Sequence, residues 1–287
     1  MMEFCLRLFI SIFLILPLSY GRDIDERDFP IQDGGRIKPL DTFARNQLLA
    51  LYGKRSLKHE KLSAIDWLFE LILNPEKGGR EKIFNIRNPE VTASLSLEWT
   101  NDHKYSFIEV FPGLMEQVEL ISVIHKKPDE SRTIFEKQLL EIYFNATRFK
   151  EITHSLSCLV PFIEINDSFL AEKLNTSPGK VVSYAHLIKQ FQTLSEMFHN
   201  VMNKPEDQWS ESDKELNMIL LTLQHTSSED FAQALKLIPS SHLDETGTWL
   251  SPWELMDGRP RELYQDKILN ALEKYLAGRA LGDEKIM

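Results

Sequence analysis

The sequence predicts a mostly α-helical protein, built as a multi-helix domain with a few short strands at most. Three observations indicate this class. Apolar residues recur at helical spacing through most of the chain, as in the run Leu40, Phe43, Ala44, Leu48 and Leu51. Residues that cap helices stand in front of such runs, and glycine or proline follows them. Segments with strand character are few and short.

The first 21 residues have the composition of a secretory signal peptide. Arg7 supplies a positive charge, the segment 8–18 is apolar, and Ser19-Tyr20-Gly21 places small residues before a cut at Arg22. The apolar run is shorter than the roughly 20 residues that a membrane-spanning helix needs. We therefore expect an exported protein with 1–21 removed as a signal peptide. An uncleaved N-terminal anchor is the alternative.

Start and stop signals divide the remaining chain into helices. The first begins at Leu40 and stops at Gly53, and the second begins at Ser63, whose pairing with Asp66 resembles a capping box. Further start signals are Asn88-Pro89, Ser106 with Glu109, and Ser251-Pro252-Trp253-Glu254. Longer helices are predicted at 113–124, 131–158, 183–202, 210–225, 228–238 and 260–277, the last ending at Gly278.

Short extended segments are predicted near 81–86, 95–107 and 159–166. The weakest joint of the helical pattern is Asn175–Lys180, which reads Asn-Thr-Ser-Pro-Gly-Lys. The sequence therefore predicts a subdomain boundary in this segment. The predicted units are an N-terminal arm with the first helix (22–62), a helical subdomain (63–176) and a C-terminal helical subdomain (177–287).

The charge balance is acidic, with 33 Lys and Arg against 43 Asp and Glu and a formal net charge of −10. This balance argues against nucleic acid and anionic membrane surfaces as the main partners. It leaves room for local basic patches. None of the 12 glycines forms a phosphate-binding glycine loop.

The sequence predicts neither a catalytic site nor a metal site. Without the signal segment, Cys158 is the single cysteine, so no internal disulfide is expected. There is no C-x-x-C, C-x-x-C-H, H-E-x-x-H or G-x-S-x-G motif. His154 and Cys158 have helical i, i+4 spacing, but two ligands do not close a metal site, so we predict a packing contact. Cys158 lies among apolar residues, where a thiol is usually inert.

The densest motif is Pro30–Arg45. Gly34-Gly35 favours a tight turn with positive φ, and Arg36 and Lys38 flank that turn. Asp41 would lie near the positive end of the following helix, where a carboxylate satisfies free N–H groups. One interpretation is an arm held across the helices by ion pairs and a cap. The other is a surface whose cations hold an acidic group of a partner.

Two tryptophans form a second candidate for partner contact. Trp249 and Trp253 stand four residues apart and could present two indoles on a rim. Packing at the entry of a helix is the alternative for both side chains.

The run Gly35-Arg36-Ile37-Lys38-Pro39-Leu40-Asp41-Thr42-Phe43-Ala44-Arg45 resembles the signature of Ccs/Res-type (system II) cytochrome c biogenesis proteins. In that family a soluble extracytoplasmic region accompanies a haem-handling membrane domain. Weaker similarities follow in order at 84–91, 105–107 and 249–255. The chain contains neither the multi-helix membrane domain nor the tryptophan-rich haem loop of the proteins it resembles. We therefore expect the haem-handling part to be another polypeptide.

The resemblance implies a non-catalytic subunit that assists cytochrome c maturation from the periplasm, peripheral to the outer face of the cytoplasmic membrane. The expected partner is a multi-span haem-handling membrane protein, and apocytochrome c is a second candidate. No residue is assigned as a haem ligand, so haem is expected only through the partner. The expected partner-binding residues are Arg36, Lys38, Asp41, Arg45, Trp249 and Trp253.

Two other classes stay open. One is a structural helical adaptor of another cell-envelope complex. The other is an exported enzyme whose site is assembled from dispersed residues, which requires a deep pocket with two or more titratable groups.

Overall fold

The structure, a computed structural model, describes residues 25–57, 62–227, 234–241, 247–256 and 261–281. Within these ranges the mostly helical prediction is confirmed, with twelve α-helices and eight strands of two to four residues. None of the helices in these ranges combines the length and apolar character needed to cross a bilayer. The predicted signal peptide (1–21) lies outside the described residues.

The helices differ widely in length, from single turns to about six turns. They are α1 (Leu40–Tyr52), α2 (Ala64–Leu73), α3 (Pro75–Arg80), α4 (Pro89–Ser94), α5 (Phe107–Glu116), α6 (Val118–His125), α7 (Ile134–His154), α8 (Ser168–Lys173), α9 (Tyr184–Ile188), α10 (Phe191–Met202), α11 (Glu211–Ser227) and α12 (Leu263–Leu281). Short 3₁₀ turns lie at Glu26–Asp28, Asp129–Ser131, Glu206–Gln208 and Trp253–Leu255.

The described strands pair as four separate two-stranded antiparallel sheets. They are β1 (Pro30–Asp33) with β2 (Arg36–Pro39), β3 (Phe84–Asn85) with β4 (Lys104–Tyr105), β5 (Ile163–Ile165) with β6 (Lys180–Val182), and β7 (Ile238–Pro239) with β8 (Trp249–Leu250). The three predicted extended segments correspond to β3, β4 and β5. The other five strands were not predicted.

Several predicted helix starts are confirmed by capping hydrogen bonds. The Ser63 hydroxyl accepts a bond from the Asp66 amide at 3.2 Å. Ser106 forms a capping box with Glu109, whose carboxylate accepts from the Ser106 amide at 2.7 Å. Ser210 makes the equivalent exchange with Asp213. These caps satisfy amides that have no partner inside their own helices.

Three predicted helices differ from the structure, since one is shorter than predicted and two are interrupted. The helix predicted at 131–158 begins at Ile134, directly after the N-cap Thr133 of a capping box with Glu136, and ends at His154. The segments 113–124 and 183–202 are each interrupted, at Gln117 and at Gln190. The Gln117 amide bonds to the Leu114 carbonyl, and the Gln190 amide bonds to the Leu187 carbonyl. Each bond spans three residues, as is typical of the last turn of a helix.

The C-terminal predictions also need correction. The last helix continues through Gly278 to Leu281. The start signal at Ser251 leads only to the 3₁₀ turn Trp253–Leu255. Of the helix predicted at 228–238, residues 228–233 lie outside the described residues and Ile238 belongs to strand β7. Segment 282–287 is likewise outside them.

Helix α7 lies at the centre of the apolar core. It packs against α2, α4, α5 and α6. The ring of Phe149 lies 5.6 Å from that of Phe84 and 4.8 Å from that of Phe107. Large fully buried side chains such as Trp67 and Phe43 belong to the same cluster, which extends to Leu276 in α12. Burial of this apolar surface is the main stabilising contribution to the fold.

Contacts cross the predicted boundary at 176/177. Strand β6 pairs back onto β5, and the Gly179 amide bonds to the Ile165 carbonyl at 2.7 Å. Arg279 of α12 forms an ion pair with Glu26 at 2.6 Å and one with Asp66 at 3.3 Å. The division into subdomains at this joint stays a prediction.

Gly113 provides a test of the packing around α5. A Cβ atom at this position would lie 2.4 Å from the Leu95 carbonyl oxygen and 2.8 Å from its Cα. We expect Gly113→Ala to reduce the free energy of unfolding by about 1–3 kcal/mol, because the backbone of Leu95 must move. Urea denaturation measures this change.

Gly79→Ala is the matched control, also in a helix. Its added Cβ would meet only Ile108 Cγ2, at 3.4 Å. We expect a change within about 1 kcal/mol of zero, since alanine favours helix and the contact is ordinary. Equal destabilisation by the two substitutions would contradict the described packing of α5.

Candidate partner-binding arm

The signature residues form a hairpin followed by a helix. Strands β1 and β2 are joined by Gly34 and Gly35, which have φ of 60° and 73°. Two consecutive residues of positive φ define a tight hairpin turn that glycine adopts without strain. The predicted turn is therefore confirmed, although the strands on either side of it were not expected. The hairpin places Asp33 opposite Arg36.

Asp33 lies between two cations at the base of this turn. Its Oδ2 is 2.8 Å from Lys38 Nζ, and its Oδ1 is 3.1 Å from Arg148 Nη2. All three side chains are partly shielded from solvent, which strengthens such pairs relative to fully exposed ones. Because Arg148 belongs to α7, the ion pair attaches the hairpin to the central helix.

Arg148 also contacts α1, the helix that follows the hairpin. Its guanidinium carbon lies 5.8 Å from the centre of the Phe43 ring, and its Nε donates to Gln47 Oε1 at 3.4 Å. The hairpin and the first helix of the signature are thus fixed to the same residue.

Gln32 joins the hairpin to the C-terminal part of the chain. Its amide bonds to the Lys236 carbonyl at 3.0 Å, and its side-chain Oε1 accepts from the Trp249 amide at 3.1 Å. Its Nε2 donates to the Gly247 carbonyl at 2.5 Å. Trp249, one of the predicted partner-binding residues, therefore lies beside the arm.

The outer strand of the hairpin carries two unengaged side chains. Arg36 is exposed, and its guanidinium makes no ion pair within the part of the chain that the structure describes. Ile37 is 59% exposed. Lys38, in contrast, faces inward to Asp33. The arm therefore presents one cation and one apolar side chain.

Asp41 and Arg45 pair with each other on the first turns of α1. Arg45 Nε lies 2.6 Å from Asp41 Oδ2, an i, i+4 ion pair. The expected capping by Asp41 is not observed, since the N-cap of α1 is Pro39 and no side-chain hydrogen bond caps this helix end. The second oxygen of Asp41 is buried and has no hydrogen-bond partner among the described residues.

Trp253 lies at a different part of α7. Its indole Nε1 donates to the His154 carbonyl at 3.1 Å, and its ring centre is 5.0 Å from that of Tyr184. It borders a mainly apolar cavity of about 360 Å³, together with Ile72, Phe162 and other residues. Among the described residues that line this cavity, His154 is the one with a titratable side chain.

The structure therefore brings five of the six predicted residues together. Four lie on the hairpin and α1, and Trp249 is joined to them through Gln32. Trp253 instead contacts α7, the helix that carries Arg148, because its indole donates to the His154 carbonyl. His154 lies six residues beyond Arg148, or about 9 Å of helix rise.

Asp33, Gln32 and Arg148 were not predicted as site residues. Asp33 lies inside the Pro30–Arg45 motif, so its proximity to the turn was visible in the sequence. Arg148 lies 115 residues away from it along the chain, and no local pattern marks it as the partner.

Cys158 is fully buried, as the sequence predicted. Burial raises the pKa of its thiol well above the ordinary value, so the reactive thiolate is scarce at neutral pH. Across the described residues, no group of three or more His, Cys, Asp or Glu side chains is placed to hold a metal ion.

No protein-family model matches this chain, and no curated protein matches it either.

The Asp33–Arg148 ion pair can be measured by a double-mutant cycle. We expect Asp33→Asn and Arg148→Gln to show a coupling of about 0.5–1 kcal/mol in urea denaturation, because the pair is partly shielded. The exposed pair Lys214–Glu211 is the control, and its coupling should be close to zero. Absence of coupling between Asp33 and Arg148 would contradict the described attachment.

Proposed function

We propose that this chain is a non-catalytic extracytoplasmic subunit that assists cytochrome c maturation together with a multi-span haem-handling membrane protein. The observation that carries the proposal is the exposed outer strand of the signature hairpin. Arg36 and Ile37 project from a backbone that is fixed on both sides. Arginine is enriched in protein–protein interfaces, and a partner that covers this strand would also bury Ile37.

The signature residues separate into two groups. Gly34, Gly35 and Lys38 build the turn and its ion pair, and Leu40 and Phe43 are buried in the core. Internal structure accounts for these residues. It does not account for Arg36 or Ile37, which contribute to no internal ion pair or apolar packing in the described chain. A role in binding a partner does account for them.

Haem is proposed to act through the partner and not through this chain. The resemblance assigns haem handling to the membrane part of the family, and no residue of this chain is proposed as a haem ligand. Apocytochrome c is the second candidate partner for the arm. The proposed location is the periplasm, at the outer face of the cytoplasmic membrane.

Substitution of the two outward residues tests the proposal. Arg36→Ala with Ile37→Ser should lower the amount of haem-stained c-type cytochrome in cells several-fold, because the contact with the partner is lost. The urea midpoint of the purified variant should stay at the wild-type value, since neither side chain is buried. Lys38→Ala is a poorer probe because it also breaks the Asp33 ion pair.

Lys126→Ala with Ile134→Ser is the matched control, since both residues are exposed and Ile134 is 78% exposed. This variant should retain wild-type cytochrome levels. Wild-type haem staining in the Arg36/Ile37 variant would contradict the proposal and favour the structural adaptor of another envelope complex.

A further inference from the structure

A basic cleft lies on the surface between the end of α1, helix α3 and the start of strand β4. Its volume is about 460 Å³. The cleft is lined by Tyr52, Lys77, Arg80, Glu81, Lys82, Asp102 and Lys104. Four of these side chains are cationic and two are carboxylates, in a protein whose formal net charge is −10. The local sign of charge is therefore opposite to that of the whole molecule.

Lys104 is the most constrained cation of the cleft. Its ammonium donates to the Tyr52 carbonyl at 2.9 Å and lies 4.1 Å from the centre of the Tyr52 ring. Lys54 Nζ lies 5.6 Å from the same ring. Partial burial lowers the pKa of Lys104, and the positive charges of Lys54 and Arg87 lower it further. Several like charges are thus held close together.

The nearby carboxylates leave part of this charge uncompensated. Asp102 accepts from the Lys104 amide at 3.2 Å through one oxygen, and its charge offsets part of the positive charge of Lys82 and Lys104. Lys77 is paired with Glu70 at 2.6 Å. Arg80 and Lys82 take part in no ion pair within the described ranges. Their donors, with the remaining donors of Lys104, are available to an anion.

We propose that this cleft binds a phosphate group. A guanidinium and two ammonium groups from separate elements suit a compact anion with several acceptor oxygens and about two charges. An acidic peptide would require donors spread along a longer surface. The inference does not depend on the proposed role in cytochrome c maturation.

The phosphate can come from a soluble compound or from an anionic lipid headgroup. The lipid source is relevant because an apolar stripe adjoins the cleft. Ile108 is 49% exposed and packs on Gly79, the neighbour of Arg80. Pro112 and Met115 continue the exposed stripe along α5 at helical spacing. A lipid would place its phosphate in the cleft and its apolar part along this stripe.

Two binding measurements on the full chain test the proposal. Inorganic pyrophosphate is titrated calorimetrically, and vesicles of phosphatidylglycerol or of phosphatidylcholine are tested by co-sedimentation. We expect Arg80→Gln with Lys82→Gln to weaken binding of the effective probe about tenfold or more, because two charge-assisted contacts are lost. Binding of pyrophosphate alone indicates a soluble phosphate. Binding of phosphatidylglycerol vesicles that the variant loses indicates a lipid headgroup.

Control variants distinguish a specific binding site from general attraction between opposite charges. Lys126→Gln with Lys137→Gln removes two exposed cations elsewhere and should leave binding within about twofold of wild type. Lys104→Gln is a second cleft variant in case the first one lowers the urea midpoint. The proposal is overturned if no phosphate probe binds, if the control weakens binding as much as the cleft variants, or if only a hexaglutamate peptide binds.

Discussion

The placement of the N-terminal arm depends on the carboxylate of Asp33, which lies between Lys38 of the same hairpin and Arg148 of the central helix α7. Both ion pairs are partly shielded from solvent, and they attach the hairpin to α7 together with the buried side chain of Ile31. Gln32 adds hydrogen bonds to Gly247 and to Trp249 of strand β8. Together these contacts hold a two-stranded sheet that would be marginally stable by itself in water.

Helix α7 connects the separate features of the molecule. Its apolar side packs Phe149 against Phe84 and Phe107 in the core, while Arg148 holds the arm and the His154 carbonyl accepts the indole N–H of Trp253. Arg36 and Ile37 therefore lie on a hairpin that is bonded both to α7 and to the segment 247–249. Under the proposed function, this attachment lowers the entropy lost when the partner binds.

The sequence predicted those features that depend on local chemistry. The helical class, the caps at Ser63, Ser106 and Ser210, and the Gly34-Gly35 turn all follow from the residue types and their spacing. The hairpin strands β1 and β2 were not predicted, because a four-residue strand with one buried residue carries little periodic signal. Arg148 was missed because its pairing with Asp33 joins residues far apart in the chain. The interruptions at Gln117 and Gln190 were missed because no glycine or proline stands at either position to signal a stop.

Site-specific photo-crosslinking from position 37 tests the central claim most directly. A photoreactive residue replaces Ile37 in the full chain, with position 134 as the exposed control, and adducts formed in intact cells are purified and identified by mass spectrometry and haem absorbance. The account predicts that position 37, and not position 134, crosslinks to a multi-span haem-handling membrane protein. Adducts from position 37 with a haem-free envelope complex, or the same adducts from both positions, would contradict it.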